Sequence, residues 1–291
     1  MRILVTGSTG QVGFELCRAL APLGEIAAPS RAELDLARPE SVRAYFRDRR
    51  FDWIVNAAAY TAVDRAEKER ELALVINGVA PGILAEEAAR QGAGLVHYST
   101  DYVFDGSSER PYREDDPPAP LNVYGETKLA GERAVLAAGG NCLIFRTSWV
   151  YGARGSNFMR TILRLAHERE ELTVVDDQVG APTWSRMIAQ ATALIVAGLR
   201  SQGGQWPHVR GVYHLTAKGY ASWHGFATEI LALDPDRAGQ RAQRIKAIPS
   251  SAYATPARRP ANSRLDCTAL TRTFGISLPD WRTSLEQALS A

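Results

Sequence analysis

Cysteine is scarce. The 291 residues hold three, Cys17, Cys142 and Cys267. They are odd in number, far apart and not at metal-ligand spacing, so neither a disulfide framework nor a metal site is expected, and a reducing compartment suits the chain. A charge excess of one sign is also missing. Lys plus Arg number 34 against 32 Asp plus Glu, a net charge of +2. The densest basic clusters, Arg47-Asp48-Arg49-Arg50 and Arg258-Arg259, are short enough to be solvated faces, so no nucleic-acid partner is expected. Long apolar runs are lacking too. No stretch approaches the roughly 18 apolar residues of a membrane helix, and the most apolar helix candidate, Ile188 to Leu199, is interrupted by Gln190 and Thr192. Met1-Arg2-Ile3-Leu4-Val5 runs straight into a strand-like segment, which leaves no room for a signal peptide. What remains is 45% hydrophobic and 23% charged, a balance that excludes disorder and low complexity. The expectation is a soluble cytoplasmic protein, a monomer or weak homodimer, of one large domain or two ordinary ones.

The first half alternates β-branched runs with helical stretches. Residues 2–6, 25–28, 53–56, 94–99 and 142–146 read as strands. Residues 11–20, 40–49, 72–91 and 123–138 read as helices. Nearly all-apolar strands alternating with helices predict an α/β fold: a Rossmann-type, doubly wound parallel sheet covered on both faces. Beyond Tyr151 the rhythm loosens. Helices are expected over 157–169, 183–199, 222–233 and 278–289, and the Pro- and Arg-rich stretch 248–262 reads as a loop. The expected division is a dinucleotide-binding domain over 1–150 and a smaller, mainly substrate-binding domain over 151–291, with a late strand near 212–216 that returns to the first sheet.

Gly7-Ser8-Thr9-Gly10-Gln11-Val12-Gly13 lies between the first strand and the first helix. Three spaced glycines alone make a turn as readily as a binding loop. At this junction each has a physical use: Gly7 for the tight turn, Gly10 for backbone approach to a pyrophosphate, Gly13 for helix–sheet contact. The helix N-terminus offers unpaired N–H groups to phosphates. After the second strand, where an NAD-binding fold places an acid for the ribose, the chain reads Ser30-Arg31. A guanidinium there pairs with a 2′-phosphate or stands as an ordinary surface charge.

Tyr124-Gly125-Glu126-Thr127-Lys128 puts a phenol and an ammonium on one face of a helix. A phenol titrates near 10, and a neighbouring cation is expected to lower that value and ease proton exchange. Thr100, at the C-terminal end of a predicted strand, can hydrogen-bond the carbonyl oxygen that Tyr124 protonates. Each feature also has an ordinary reading: an exposed helix pair, a strand-ending turn, and close packing at Asn56-Ala57-Ala58-Ala59. The histidines His97, His167, His208, His214 and His224 show no metal spacing and are expected to be structural, and Trp223 and Trp281 are expected to anchor the core.

The glycine spacing resembles the extended short-chain dehydrogenase/reductase superfamily. Asn56 to Asp64, Ser99-Thr100-Asp101-Tyr102-Val103-Phe104-Asp105-Gly106, Asp177 to Thr183 and Arg259 to Leu265 together resemble the dTDP-4-dehydrorhamnose reductases, over residues 1 to about 289. The resemblance implies reduction of the 4-keto group of dTDP-4-dehydro-β-L-rhamnose by NAD(P)H, the last step of dTDP-L-rhamnose synthesis. It implies Tyr124 as proton donor, Lys128 as its partner and ribose ligand, and Thr100 as the carbonyl-side hydroxyl. Asp101 and Trp149 match substrate positions. Gly10, Gln11, Val12, Asp35, Leu36, Ala57, Ala58, Ala59 and Tyr98 match cofactor positions. With Ser30-Arg31, NADPH is expected to be preferred over NADH. No metal is expected. The alternatives are a nucleotide-sugar epimerase or dehydratase with recycled NAD, and a non-catalytic NADP-binding regulatory subunit.

Overall fold

The computed structural model describes residues 1–201 and 209–290. In chain order the elements are β1 (Arg2–Thr6), α1 (Gln11–Leu20), β2 (Glu25–Ala27), α2 (Pro39–Tyr45), β3 (Trp53–Asn56), α3 (Val63–Ala66), α4 (Arg70–Leu74), α5 (Ala80–Gln91), β4 (Gly94–Thr100), α6 (Val123–Ala137) and β5 (Asn141–Thr147). The second half adds β6 (Val150–Tyr151), α7 (Phe158–Glu168), β7 (Glu171–Val175), β8 (Val179–Gly180), β9 (Thr183–Trp184), α8 (Ser185–Ser201), β10 (Gly211–His214), β11 (Ala221–Ser222), α9 (Trp223–Ala232), β12 (Arg244–Ile248), α10 (Thr268–Phe274) and α11 (Trp281–Leu289).

Six strands form one parallel sheet in the order β10-β5-β4-β3-β1-β2. Alternate strand residues face opposite layers. Ile3, Val5, Val55 and Leu143 pack under α1 and α8 with Leu16, Leu20, Ile188 and Val196. Leu4, Ile54, Leu95 and Ile144 pack on the other face with Phe46, Leu84 and Val135. Burying one such side chain stabilises by about 1.5–3 kcal/mol, so neither face tolerates a register slip. The chain runs from β1 outward to β2, then crosses back to β3. This reversal leaves a crevice at the C-terminal ends of β1 and β3, where ligands bind in such sheets.

Residues after 150 contribute to both regions. β10 pairs with β5, from Gly211 opposite Leu143 to His214 opposite Arg146, and α8 covers the first apolar layer. A separate core of Tyr151, Ile162, Leu172, Trp184, Phe226, Trp281 and Leu285 lies beyond the sheet. There β7 pairs in parallel with β12, 73 residues on (Glu171 opposite Arg244).

Helix bounds differ from expectation in several places: α8 starts at Ser185, because Thr183–Trp184 form β9, and α11 starts at Trp281, where Asp280 caps it by accepting from Arg282 N. α2 ends at Tyr45, because Tyr45, Phe46 and Phe51 pack ring against ring and turn the chain into β3. The long helix contains a π turn at Val75–Val79. Pro81 has no N–H for the carbonyl of Asn77, and the widened turn accommodates that. The expectation that no stretch reaches membrane-span length also needs correction. Arg70–Gln91 is long and apolar enough by length and composition. Its apolar character comes from a core face: Ala80, Ile83, Leu84 and Ala88 are buried against the sheet.

Candidate active site

β1 ends at Thr6, and the chain turns at Gly7 with φ +68°, a region that glycine occupies without steric cost. A Cβ at Gly7 would lie 2.7 Å from the Ala58 nitrogen, and one at Gly13 2.0 Å from the Gly7 carbonyl oxygen. Gly10 caps α1 with no side chain, so the first-turn N–H groups face the crevice unpaired by any capping group. This cradle fits the pyrophosphate of a dinucleotide. A polar chain lies under it: Thr6 Oγ1 donates to Asn56 Oδ1 at 2.6 Å, and Asn56 Nδ2 meets His97 Nδ1 at 3.0 Å.

A groove of about 440 Å³ runs from this loop to Tyr124. Gly7, Gly10, Gln11, Val12, Ala57, Ala58, Ala59, Tyr98, Tyr124 and Lys128 line it. A second cavity of about 190 Å³ shares Gly7, Ala58 and Ala59 and is lined by Ser30, Arg31, Asp35 and Leu36. Of the expected cofactor residues only Gly13 lines neither, and its contact is with the Gly7 carbonyl. The Ser30-Arg31 pair is already engaged. Ser30 N and Oγ donate to Glu33 Oε2 at 2.8 and 2.9 Å, and Arg31 pairs with Asp35 at 3.3 Å. A 2′-phosphate would share Arg31 with Asp35.

The sequence reading missed the residues that close the groove from the end of β5 and from the second half: Thr147, then Val150, Gly155 and Ser156. Asn157 Nδ2 donates to Gln11 Oε1 at 2.9 Å, and the Arg154 guanidinium lies 4.0 Å above the Phe14 ring. These ties hold the loop after β6 over the glycine loop. Only the Gly155-Ser156 pair hinted at a loop, and nothing in the sequence said where that loop would lie. Thr147 Oγ1 is buried with no hydrogen-bond partner among the described residues, which leaves it free for a ligand.

Thr100 ends β4, and Tyr124 and Lys128 stand on the first turns of α6. Asn122 caps that helix by accepting from Gly125 N at 2.9 Å. Lys128 is 2% exposed, and its Nζ donates to the Tyr98 carbonyl at 2.5 Å. Burial lowers its ammonium to about 8, while Glu132 acts the other way. The Tyr124 phenol differs from expectation. Burial pushes it up to about 12, with the Asp101 carboxylate adding to the rise and a hydrogen bond with Thr100 opposing it. The Lys128 ammonium, turned to the Tyr98 carbonyl, is not among the groups that shift the phenol, and desolvation sets the direction. The phenol therefore keeps its proton at neutral pH, the state a proton donor requires.

Asp101 is buried, 3% exposed. Thr100 Oγ1 donates to its Oδ1 at 2.9 Å. Burial raises its carboxyl to about 6, against hydrogen bonds from Ser263 and Thr100. Trp149 has φ 47°, a conformation rare for a bulky residue and a mark of a constrained position. Its indole stacks on Trp223, centroids 3.5 Å apart and planes within 4°. Trp223 is partly buried and packs against the second core, while Trp281 is a fully buried anchor of it, 1% exposed. His97 and His214 are fully buried. His208 lies outside the described residues. Among the described residues no group of three or more His, Cys, Asp or Glu is placed to hold a metal ion, and the three cysteines are free.

The family model described as the RmlD substrate binding domain matches residues 1–291. The chain belongs to this family. It is 54% identical over 285 residues to a dTDP-4-dehydrorhamnose reductase of Burkholderia thailandensis, covering 97% of this chain and 96% of that one. Among solved structures, a dTDP-4-dehydrorhamnose reductase of Clostridium acetobutylicum superposes with TM-score 0.90 at 35% identity, covering 100% of this chain and 99% of that one. The Bacillus anthracis reductase, solved in complex with NADP, superposes with TM-score 0.88 at 34% identity, covering 99% and 98%.

Proposed function

We propose that this chain reduces the 4-keto group of dTDP-4-dehydro-β-L-rhamnose to give dTDP-L-rhamnose, with NADPH as the favoured cofactor. The observation that carries the reading is one groove in which an uncapped helix N-terminus and a glycine loop lead to Tyr124 and the buried Lys128, with the buried Thr100 hydrogen-bonded to the Tyr124 phenol. The loop and helix α1 hold the pyrophosphate, and Lys128 holds the nicotinamide ribose. When bound, NADPH supplies the hydride. Thr100 turns its hydroxyl from Asp101 Oδ1 to the ketone oxygen, Tyr124 hydrogen-bonds the same oxygen, and the Tyr124 phenol gives its proton to it as charge develops there. Trp149, backed by Trp223, and Asp101 border the sugar side.

Dehydration across C5–C6 would need a carboxyl pair to shuttle protons. Here Thr100 is followed by Asp101 and then Tyr102, whose phenol burial and the Asp101 carboxylate push well above its usual range. Such a phenol is a poor base at neutral pH. Tyr124→Phe tests the proton-transfer role. It removes the proton and keeps the ring, so kcat should fall by roughly two to four orders of magnitude with NADPH affinity nearly unchanged. Activity near wild type would remove Tyr124 from the mechanism.

A further inference from the structure

Lys128 does not stand alone beneath the groove. One turn further along α6, Glu132 is 2% exposed, and Arg146 on β5 is 3% exposed. Arg146 donates Nε to Glu132 Oε1 at 2.9 Å and Nη2 to Oε2 at 2.7 Å. Ser99 Oγ donates to the same Oε1 at 2.5 Å. Ser99 lies between Tyr98, whose carbonyl holds the Lys128 ammonium, and Thr100, which bonds the Tyr124 phenol. The tether therefore fixes the part of β4 that carries both partners.

Stability gives this network little reason to exist. Desolvating two charges cancels most of their attraction, and a hydrophobic pair of similar volume is often as stable or more so. The guanidinium has a third nitrogen, Nη1, without a partner among the described residues. What the pair has beside it is a buried catalytic ammonium four residues away on the same helix face.

We propose that Glu132, fixed by Arg146 and Ser99, is a positioning residue that supplies the buried counter-charge for the Lys128 ammonium and holds it toward the groove. The proposal rests on the role given to Lys128 above. The other charged and titratable groups around α6 do not serve this purpose. On β4, His97 is held neutral by burial and by Lys128 itself, and Asp101, its carboxyl raised to about 6 by burial, is not among the charges that act on Lys128. On α6, Tyr124 titrates at about 12, and Tyr102 beyond β4 is pushed higher still. Around α3 and α4, Asp64 is paired with Arg259, Arg70 with Glu126, and Arg65 and Tyr60 with Glu69, while Glu67 accepts from Val123 N. The π turn and α5 meet α6 through Asn77, Gly78 and Gly82. Among these groups Lys128 is the one that titrates near pH 8.

The test is the pH dependence of NADPH binding, followed by nicotinamide fluorescence, together with the kcat profile for keto-sugar reduction. Wild type, Glu132→Gln, the double variant Glu132→Gln/Arg146→Met and Glu126→Gln are compared. Losing the counter-charge makes Lys128 give up its proton sooner. The alkaline midpoint should move down by about one pH unit in Glu132→Gln, from a single charge at helix-turn distance. The double variant should move the same way, and because it leaves no Arg146 guanidinium without its carboxylate it keeps the test alive if the single variant fails to fold. Glu126, an exposed carboxylate on the same helix, should leave the midpoint in place. A merely structural Glu132 would lower Tm with no change in midpoint, and a wild-type midpoint in either folded variant overturns the proposal. A shifted binding midpoint with no keto-sugar turnover even in wild type would instead refute the proposed reaction and leave the role of Glu132 standing.

Discussion

Lys128→Met should make the protein more stable while abolishing its activity. The side chain is 2% exposed, and burial lowers the ammonium from 10.5 to about 8. At ~1.4 kcal/mol per pH unit, that gap corresponds to about 3 kcal/mol of destabilisation carried by the charged form. Methionine removes the charge and fills a similar volume. It also removes the bond to the Tyr98 carbonyl, a charged hydrogen bond worth about 1.5–3 kcal/mol. The net gain at neutral pH is therefore about 1 kcal/mol. The sign with pH follows from proton counting. Between about 8 and 10.5 the unfolded chain holds a proton that the folded chain has lost, so wild-type stability rises through that window. The advantage of the variant is full below about pH 8 and shrinks as pH climbs toward 10.5. Urea midpoints of the two proteins across this range measure the difference. A variant less stable at neutral pH, or a gap that does not change with pH, would refute the claim that Lys128 is a strained, buried cation.

Asp101→Asn should also stabilise. Its carboxyl is raised from 3.8 to about 6 by burial, so the cost of the buried anion is full above about pH 6 and absent below 3.8. Thermal unfolding should show a gain of about 1–3 kcal/mol near pH 7 that vanishes in acid, with kcat reduced. Gly13→Ala places a Cβ 2.0 Å from the Gly7 carbonyl oxygen, so the loop must move. Isothermal titration should show loss of NADPH binding, and Tm should fall by an amount equivalent to about 1–3 kcal/mol. Arg31→Ala removes an exposed guanidinium already shared with Asp35. Steady-state kinetics should show KM for NADPH raised about tenfold, the low end for a charged hydrogen bond, with NADH nearly unchanged. Equal losses for both cofactors would show that Arg31 does not read the phosphate.

The sheet was legible because β1, β3, β4 and β5 are short apolar runs between helical stretches, and burial on both faces leaves such strands no polar alternation to confuse the reading. The glycine loop and the Tyr124–Lys128 pair were legible because their geometry is local: a turn and one helical turn. What was not legible is non-local. The pairing of β7 with β12 joins segments 73 residues apart (Glu171 opposite Arg244), and neither Glu171-Leu172-Thr173-Val174-Val175 nor Arg244-Ile245-Lys246-Ala247-Ile248 announces the other. The stack of Trp149 on Trp223 and the closure of the groove by Gly155 and Ser156 depend on how the second half folds over the first. The elevated Tyr124 phenol was missed for another reason. Spacing shows a nearby cation, but only the folded environment shows that the Lys128 ammonium turns to the Tyr98 carbonyl and that burial governs the phenol.

The central claim is reduction of a ketone by a phenol-armed, cofactor-fed groove, and the most direct test is substrate turnover. Purified protein, NADPH and dTDP-4-dehydro-β-L-rhamnose should consume the cofactor and yield dTDP-L-rhamnose in equal amounts. The same protein given dTDP-glucose and NAD should form no 4-keto-6-deoxy product. Formation of that product at a comparable rate, or cofactor bound tightly without any turnover of the keto-sugar, would contradict the account.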